Sequence, residues 1–119
     1  MKIEILTSHK DILGVASMKD GDPREVNTSW SPQLAATMIP TIETSLRLLN
    51  LIKEENFLRV VVGTYTIVVQ REHGYIIAAC IQTGHAIAKS LHRMIRRAAH
   101  DYEVSEAEAE SRRRNKSCG

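Results

Sequence analysis

The run from Phe57 to Gln82 constrains the fold of this chain more than any other part of its sequence. It predicts three strands joined by short turns, at residues 57–62, 65–70 and 75–82. Strands joined by tight hairpins are antiparallel, and such strands usually alternate between apolar and polar residues because one face meets water. Here Val60 to Val62 and Ile76 to Ile81 are uninterrupted apolar runs. We therefore expect both faces of the sheet to be covered, either by the chain's own helices or by a second copy.

The length and composition predict one folded domain followed by a polar tail. The chain has 119 residues, of which 43% are hydrophobic, and a net charge of +2, which is too mild to favour nucleic acid by itself. We assign residues 1–103 to the domain and 104–119 to a flexible charged tail. Without an N-terminal apolar segment or an apolar run of membrane-spanning length, the sequence predicts a cytoplasmic protein.

Two further strands are predicted before the central run. Residues 12–18 form an apolar strand, and the stretch Lys19-Asp-Gly-Asp-Pro23 is a strong turn signal. Residues 25–30 form a more polar strand, which is typical of a sheet edge. The segment 1–11 fits either a strand or a short helix, and the sequence does not decide between them.

A long helix is predicted between the two groups of strands. Ser31 and Pro32 suit its N-cap and first position, and it should run to about Glu55 with a kink where Pro40 falls inside it. Its apolar residues span an arc of about 140°, wider than the stripe of about 100° that packing on one surface requires. The helix should therefore pack against both the sheet and another helix. Leu48 and Leu51 lie outside this arc and are either part of that second contact or ordinary exposed leucines.

The last helix is predicted from about His85 to Glu103, with one apolar and one basic face. Three interpretations of the basic face remain open: a solvated surface, contact with an acidic protein or anionic membrane, and contact with nucleic acid. The first is favoured and the last is least favoured, since aromatic residues make up only 4% of the chain and stacking platforms are lacking. The basic face consists of Lys89, Arg93, Arg96, Arg97 and His100.

No catalytic, metal or cofactor motif is found in the sequence. The chain has no Gly-rich phosphate loop followed by Lys-Ser/Thr, no Gly-x-Ser-x-Gly and no Cys-x-x-Cys. His92 and His100 are eight residues apart on a helix, too far for one metal ion. Cys80 lies in an apolar strand and is expected to be a small buried hydrophobe. We predict a protein that is not an enzyme and that needs no cofactor.

The order of elements resembles a known family. The predicted order is two strands, a long helix, three strands and a helix. This order resembles the Roadblock/LC7 family, which is related in architecture to longin and profilin-like domains. Two sequence stretches add to the resemblance: Val15-Ala-Ser-Met-Lys-Asp-Gly21, and the strand Leu58-Arg-Val-Val-Val62 followed by its hairpin. The resemblance covers about Ile12 to Tyr102. It implies an α+β fold with a five-stranded antiparallel sheet, helices on both faces and a sheet that continues across a dimer. The family usually begins with a full amphipathic helix, for which this chain has only about a dozen residues.

The resemblance also implies a function and a set of contacts. Family members regulate small Ras-like GTPases or serve as dynein light chains, so the expected protein is a non-enzymatic dimeric scaffold, a homodimer or a heterodimer, that binds such a GTPase or another Roadblock protein. The alternatives are an assembly adaptor of the dynein light chain type and a binder of nucleic acid or an anionic surface through the last helix. The expected dimer interface is Leu34, Met38, Ile42, Leu46, Leu49, Leu58, Arg59, Val60, Val61 and Val62. The expected partner surface is Gln33, Thr37, Thr44, Arg47, Lys89, Arg93, Arg96 and Arg97.

Overall fold

The computed structural model describes residues 4–30, 34, 36 and 38–117 of the chain. Its strands form one five-stranded sheet in the order β2-β1-β5-β4-β3, and every neighbouring pair is antiparallel. This confirms the predicted α+β class and antiparallel sheet. The elements are α1 Glu4–Thr7, β1 Gly14–Lys19, β2 Asp22–Trp30, α2 Ile39–Leu51, β3 Phe57–Val62, β4 Tyr65–Glu72, β5 Tyr75–Gln82 and α3 Ala88–Ser117.

Both faces of the sheet are covered by helices of the same chain. Successive strand residues point to opposite faces, so an uninterrupted apolar run supplies two buried layers at once. The layer under α2 includes Met18, Ile67, Val69, Ile76, Ala78 and Cys80. The layer under α3 includes Val15, Val68, Ile77, Ala79 and Ile81. The sequence left open whether the chain's own helices or a second copy cover the sheet. In this structure, helices of the same chain lie over both faces.

Two tight hairpins hold the three central strands in register. Gly63 and Thr64 join β3 to β4, and Gly63 has φ of 57°. His73 and Gly74 join β4 to β5 with φ of 50° and 80°, and positive φ at both central residues is the turn geometry that suits the right-handed twist of paired strands. The hairpin prediction for this part of the chain is confirmed.

Helix α2 is shorter than predicted at both ends. It begins at Ile39 and ends at Leu51, whereas the sequence suggested a helix from about Pro32 to Glu55. Ser31 and Pro32 lie outside the described residues. Pro40 falls in the first turn of the helix, where its missing N–H removes no hydrogen bond, so the predicted internal kink is replaced by a helix start.

The N-terminal segment forms a single helical turn, Glu4–Thr7, which settles the choice left open between a strand and a short helix. Its Leu6 is buried in the layer under α3. Among the described residues before β1, Leu6 and Ile12 both belong to this core layer.

Helix α3 continues to Ser117, about 14 residues beyond the predicted end of the folded domain. The segment is rich in Glu, Ala and Arg, which are good helix formers, and Glu108 stands four residues before Arg112, a favourable helical spacing. The side chains from Glu106 to Arg113 are all exposed. The predicted flexibility of this segment stays a prediction. In the part of the chain that the structure describes, no helix is long and apolar enough to cross a membrane.

Candidate functional site

The free edge of the sheet at β3 is the most exposed apolar surface that the strands offer. β3 pairs with β4 on one side only, because it is the last strand of the sheet. Phe57 and Val61 are 44% and 56% exposed, and Arg59 between them is exposed as well. These three residues point to the α3 side of the sheet, where α3 lies over β4 and β5. The α3 side of β3 is therefore largely open to solvent.

The backbone of β3 presents hydrogen-bonding groups to solvent along the same edge. The backbone N–H of Arg71 donates to the carbonyl oxygen of Asn56 at 2.8 Å. In an antiparallel pair, residues that bond to the neighbour alternate with residues that point away from it. Residues 58, 60 and 62 therefore bond to β4, and the N–H and C=O groups of Phe57, Arg59 and Val61 point outward. An edge of this kind can accept a further strand.

A shallow apolar groove lies next to this edge on the α2 side of the sheet. It has a volume of about 350 Å³, and its lining is Pro40, Thr41, Thr44, Ser45, Leu48 and Val60. Leu48 is 43% exposed and Leu51 is 76% exposed. We call the free edge strand, together with the exposed residues of α2 on the other face of the sheet, the β3 edge surface: Thr44, Leu48, Leu51, Phe57, Arg59, Val60 and Val61.

The predicted dimer interface is divided by the structure into a buried set and an exposed set. The five residues expected on the long helix are at most 4% exposed, because they pack against the sheet in the core of the single chain; Leu34 and Met38 precede α2, and Ile42, Leu46 and Leu49 lie on it. Within the single chain these side chains face the core, and the exposed leucines of α2 are Leu48 and Leu51. The strand residues Leu58 to Val62 do lie on the free edge, with 58, 60 and 62 half-buried and 59 and 61 exposed.

The predicted partner surface is scattered over two helices. Thr44 and Arg47 are exposed on α2, and Gln33 and Thr37 lie outside the described residues. Lys89, Arg93, Arg96 and Arg97 are exposed on α3, on the opposite side of the sheet. Arg96 forms an ion pair with Glu72 at 3.2 Å, so it is held against β4. The structure does not bring these residues together in one patch.

A polar network lies behind Phe57 and joins β4 to α3. The amide nitrogen of the buried Gln70 donates to Glu72 Oε1 and to the carbonyl oxygen of His92, both at 3.1 Å. Its amide oxygen lies 3.1 Å from His92 Nδ1, and His92 Nε2 lies 2.9 Å from Arg96. The ring of Phe57 meets the ring of His92 edge-on at 5.9 Å. The network thus supports the first residue of β3 from the α3 side.

Arg71 holds the segment just before β3 in place on the α2 side of the sheet. Its Nη2 donates to the carbonyl oxygen of Leu49 at 2.8 Å, and its Nη1 donates to the carbonyl oxygen of Glu55 and, at 3.3 Å, to Asn56 Oδ1. Its Nε lies 2.8 Å from Asp20 Oδ2 in the β1–β2 turn. One guanidinium group therefore ties the end of α2 and the start of β3 to the turn before β2.

The described residues include one cysteine and several histidines, which are side chains that nucleophilic catalysis and metal binding often use. Among them, no group of three or more His, Cys, Asp or Glu side chains is placed to hold a metal ion. Burial raises the pKa of the Cys80 thiol to about 11, so Cys80 is a protonated core residue at neutral pH. His92 belongs to the polar network, and the ring of His100 lies 5.7 Å from that of His73. The surface with the clearest capacity for interaction is therefore the β3 edge surface.

Comparison with known proteins identifies no relative. No family model matches the sequence, and no curated protein matches it significantly. The resemblance to the Roadblock/LC7 family therefore stands on the order of elements and on the two short sequence stretches alone.

Proposed function

We propose that this chain is a non-enzymatic dimeric scaffold that joins a second copy, or a similar chain, through the β3 edge surface. The observation that supports this most strongly is an edge strand with outward backbone groups and exposed Phe57 and Val61. A regular edge strand with exposed apolar side chains invites pairing with another strand, and on β3 the exposed charge of Arg59 is the one feature that opposes it. Leu48 and Leu51 add exposed apolar surface beside it.

We further propose that the dimer binds a small Ras-like GTPase or another Roadblock-like protein. This part rests on the resemblance, which requires the third strand to meet its mate across a two-fold axis. The position of β3 at the end of the sheet is compatible with that requirement. The chain's own helices already cover both faces of the sheet, so a partner would add to a complete fold.

Two measurements test these proposals separately. Sedimentation of the purified chain across a concentration series tests the dimer: a shift from monomer to dimer mass is expected, and a monomer at every concentration would refute it. Capture from a lysate of the source organism, with the bait supplied with GDP or a non-hydrolysable GTP analogue, tests the partner. We expect one Ras-like GTPase to be enriched with one of the two nucleotides. Recovery of only scaffold or motor subunits with both nucleotides would favour an assembly adaptor instead.

One observation favours a second candidate function, binding to an anionic surface or to nucleic acid. Lys89, Arg93 and Arg97 are exposed on α3, and the helix continues into the basic stretch 112–114. Binding of this kind depends strongly on salt. We expect Arg93→Glu with Arg97→Glu to abolish it; Arg47→Glu with Lys53→Glu, two exposed positions on and just after α2, changes the charge equally and is the control. No binding to duplex, single strand or anionic vesicles at low salt would exclude this candidate.

A further inference from the structure

We infer that a second copy of this chain pairs with β3 in one register, in which Arg59 of one copy lies opposite Arg59 of the other on the two-fold axis. This inference rests on the proposed dimer, since it specifies how the two edges meet. It follows from three properties of β3: which backbone groups point outward, which side chains share a face, and where the charge lies.

Two-fold symmetry allows only a few registers. Paired strands that form one continuous sheet keep their faces, so a residue on the α3 side must lie opposite another residue on the α3 side. A residue of β3 therefore sits on the axis, and the candidates with substantial overlap have Leu58, Arg59, Val60 or Val61 there. Each choice pairs different outward residues across the interface.

The register centred on Arg59 uses every outward backbone group of β3. Phe57, Arg59 and Val61 carry those groups, and in this register 57 pairs with 61, 59 with 59 and 61 with 57. Each such pair exchanges two hydrogen bonds. Centring on Val60 or Leu58 leaves only two hydrogen-bonded pairs within the strand, and centring on Val61 leaves one.

The side chains on both faces also fit the register centred on Arg59. On the α3 side, Phe57 of each copy lies opposite Val61 of the other, and an aromatic residue opposite a β-branched one is a favourable cross-strand pair. On the α2 side, Leu58 lies opposite Val60. Both exposed apolar side chains of the edge are therefore covered by apolar partners.

The cost of this register is the approach of two like charges on the axis. Arg59 is exposed, so the repulsion acts across water, where it is weak and screened by salt. Its long side chain can turn away from its mate while the backbone stays paired. The repulsion is therefore smaller than the loss of one hydrogen-bonded strand pair that the next-best register would impose.

Mixing a charge variant with the wild-type chain tests the register directly. An isotopically labelled Arg59→Glu variant is mixed with the wild-type chain at low salt, and the dimers are counted by native mass spectrometry after exchange. If the two positions are opposite each other, Arg pairs with Glu in the mixed dimer. We then expect the square of the mixed-dimer concentration, divided by the product of the two homodimer concentrations, to exceed its statistical value by about threefold, an excess that fades as salt is added. Arg93→Glu, which changes the same charge away from the edge, should give a statistical mixture.

Each other outcome contradicts a distinct part of the inference. A statistical mixture with Arg59→Glu would refute the register while leaving the dimer intact. Rapid disulfide formation by Val60→Cys, made with Cys118→Ser, would show that Val60 lies on the axis instead, because Val60 then faces its own mate. Monomers in every sample would refute the proposed dimer itself, and the register with it.

Discussion

The two edge strands of this sheet differ in their regularity and in their exposed apolar side chains. β2 contains Pro23, which has no N–H to donate, and its pairing with β1 shifts register between Met18 and Lys19. Its sequence is mostly polar. β3 contains no proline, pairs with β4 without a register shift, and exposes Phe57 and Val61. Prolines, irregularities and polar residues are means by which proteins protect a sheet edge; β2 has all three, whereas β3 has only the charge of Arg59.

The contrast teaches that an edge strand is not by itself evidence of an interface. Both edges of the sheet have unpaired backbone groups, but β2 has a proline and a register shift near its first residues. The β3 edge is regular and adjoins the exposed Leu48 of α2. The comparison thus supports β3 rather than β2 as the edge used by the proposed dimer, and it can be tested by changing the two edges in the same way.

The largest effect is expected from an arginine on the β3 edge, compared with the same side chain on the β2 edge. Val61→Arg puts a charge where the inferred register places Phe57 of the second copy. The dissociation constant of the dimer should therefore increase by about 100-fold or more. Thr28→Arg places the same side chain at an exposed position of β2 and should leave association within about twofold of wild type. Sedimentation measures both. An equal loss with the two variants would remove the distinction between the edges.

Two adjacent leucines of α2 separate the core from the interface. Leu49 is buried, so Leu49→Ala should lower the free energy of unfolding by about 3 kcal/mol, as a large-to-small core substitution does. Leu48 is exposed beside β3, so Leu48→Ala should weaken the dimer by about fivefold and change the stability of the monomer by less than about 0.5 kcal/mol. Denaturant titration at low concentration and sedimentation distinguish these effects. If Leu48→Ala destabilised the monomer as much as Leu49→Ala, its side chain would belong to the core.

A smaller effect is expected at Arg71, which supports both edges at once. Arg71→Met keeps much of the side-chain volume but removes the bonds to Leu49 and Glu55 and the contact with Asp20, so we expect a loss of about 2 kcal/mol in stability. Hydrogen exchange should increase both in the β1–β2 turn and just before β3. Arg47→Met, at an exposed position of α2, is the control. Faster exchange at only one of these sites would show that Arg71 supports one edge alone.

The sequence predicted the central strands well because hairpins are local. The runs 57–62, 65–70 and 75–82 lie between turn residues, and their bounds in the structure differ from the prediction by at most two residues. The order of strands was beyond the residue pattern, since it depends on long-range pairing between β1 and β5. The edge position of β3 could be expected only from the resemblance.

The errors in the helices have simple physical causes. Pro40 was placed inside α2 because the apolar pattern began at Leu34, whereas proline is best tolerated in the first turn. Helix α3 is longer than predicted because polarity does not oppose a helix when the residues are good helix formers. The broad apolar arc predicted for the long helix packs against the sheet of the same chain, and the exposed Leu48 and Leu51 lie outside that arc.

Each subunit is already folded on its own, and this determines how fast subunits would exchange between dimers. Because α2 and α3 already cover the two faces of the sheet, a subunit that leaves the dimer keeps its core dry and its strands paired. Dissociation would then require no unfolding, and two populations of dimers should trade subunits on the timescale of dissociation alone. A similar chain with a compatible edge strand could replace one subunit of such a dimer. The relative concentrations of the two chains would then determine which dimers form.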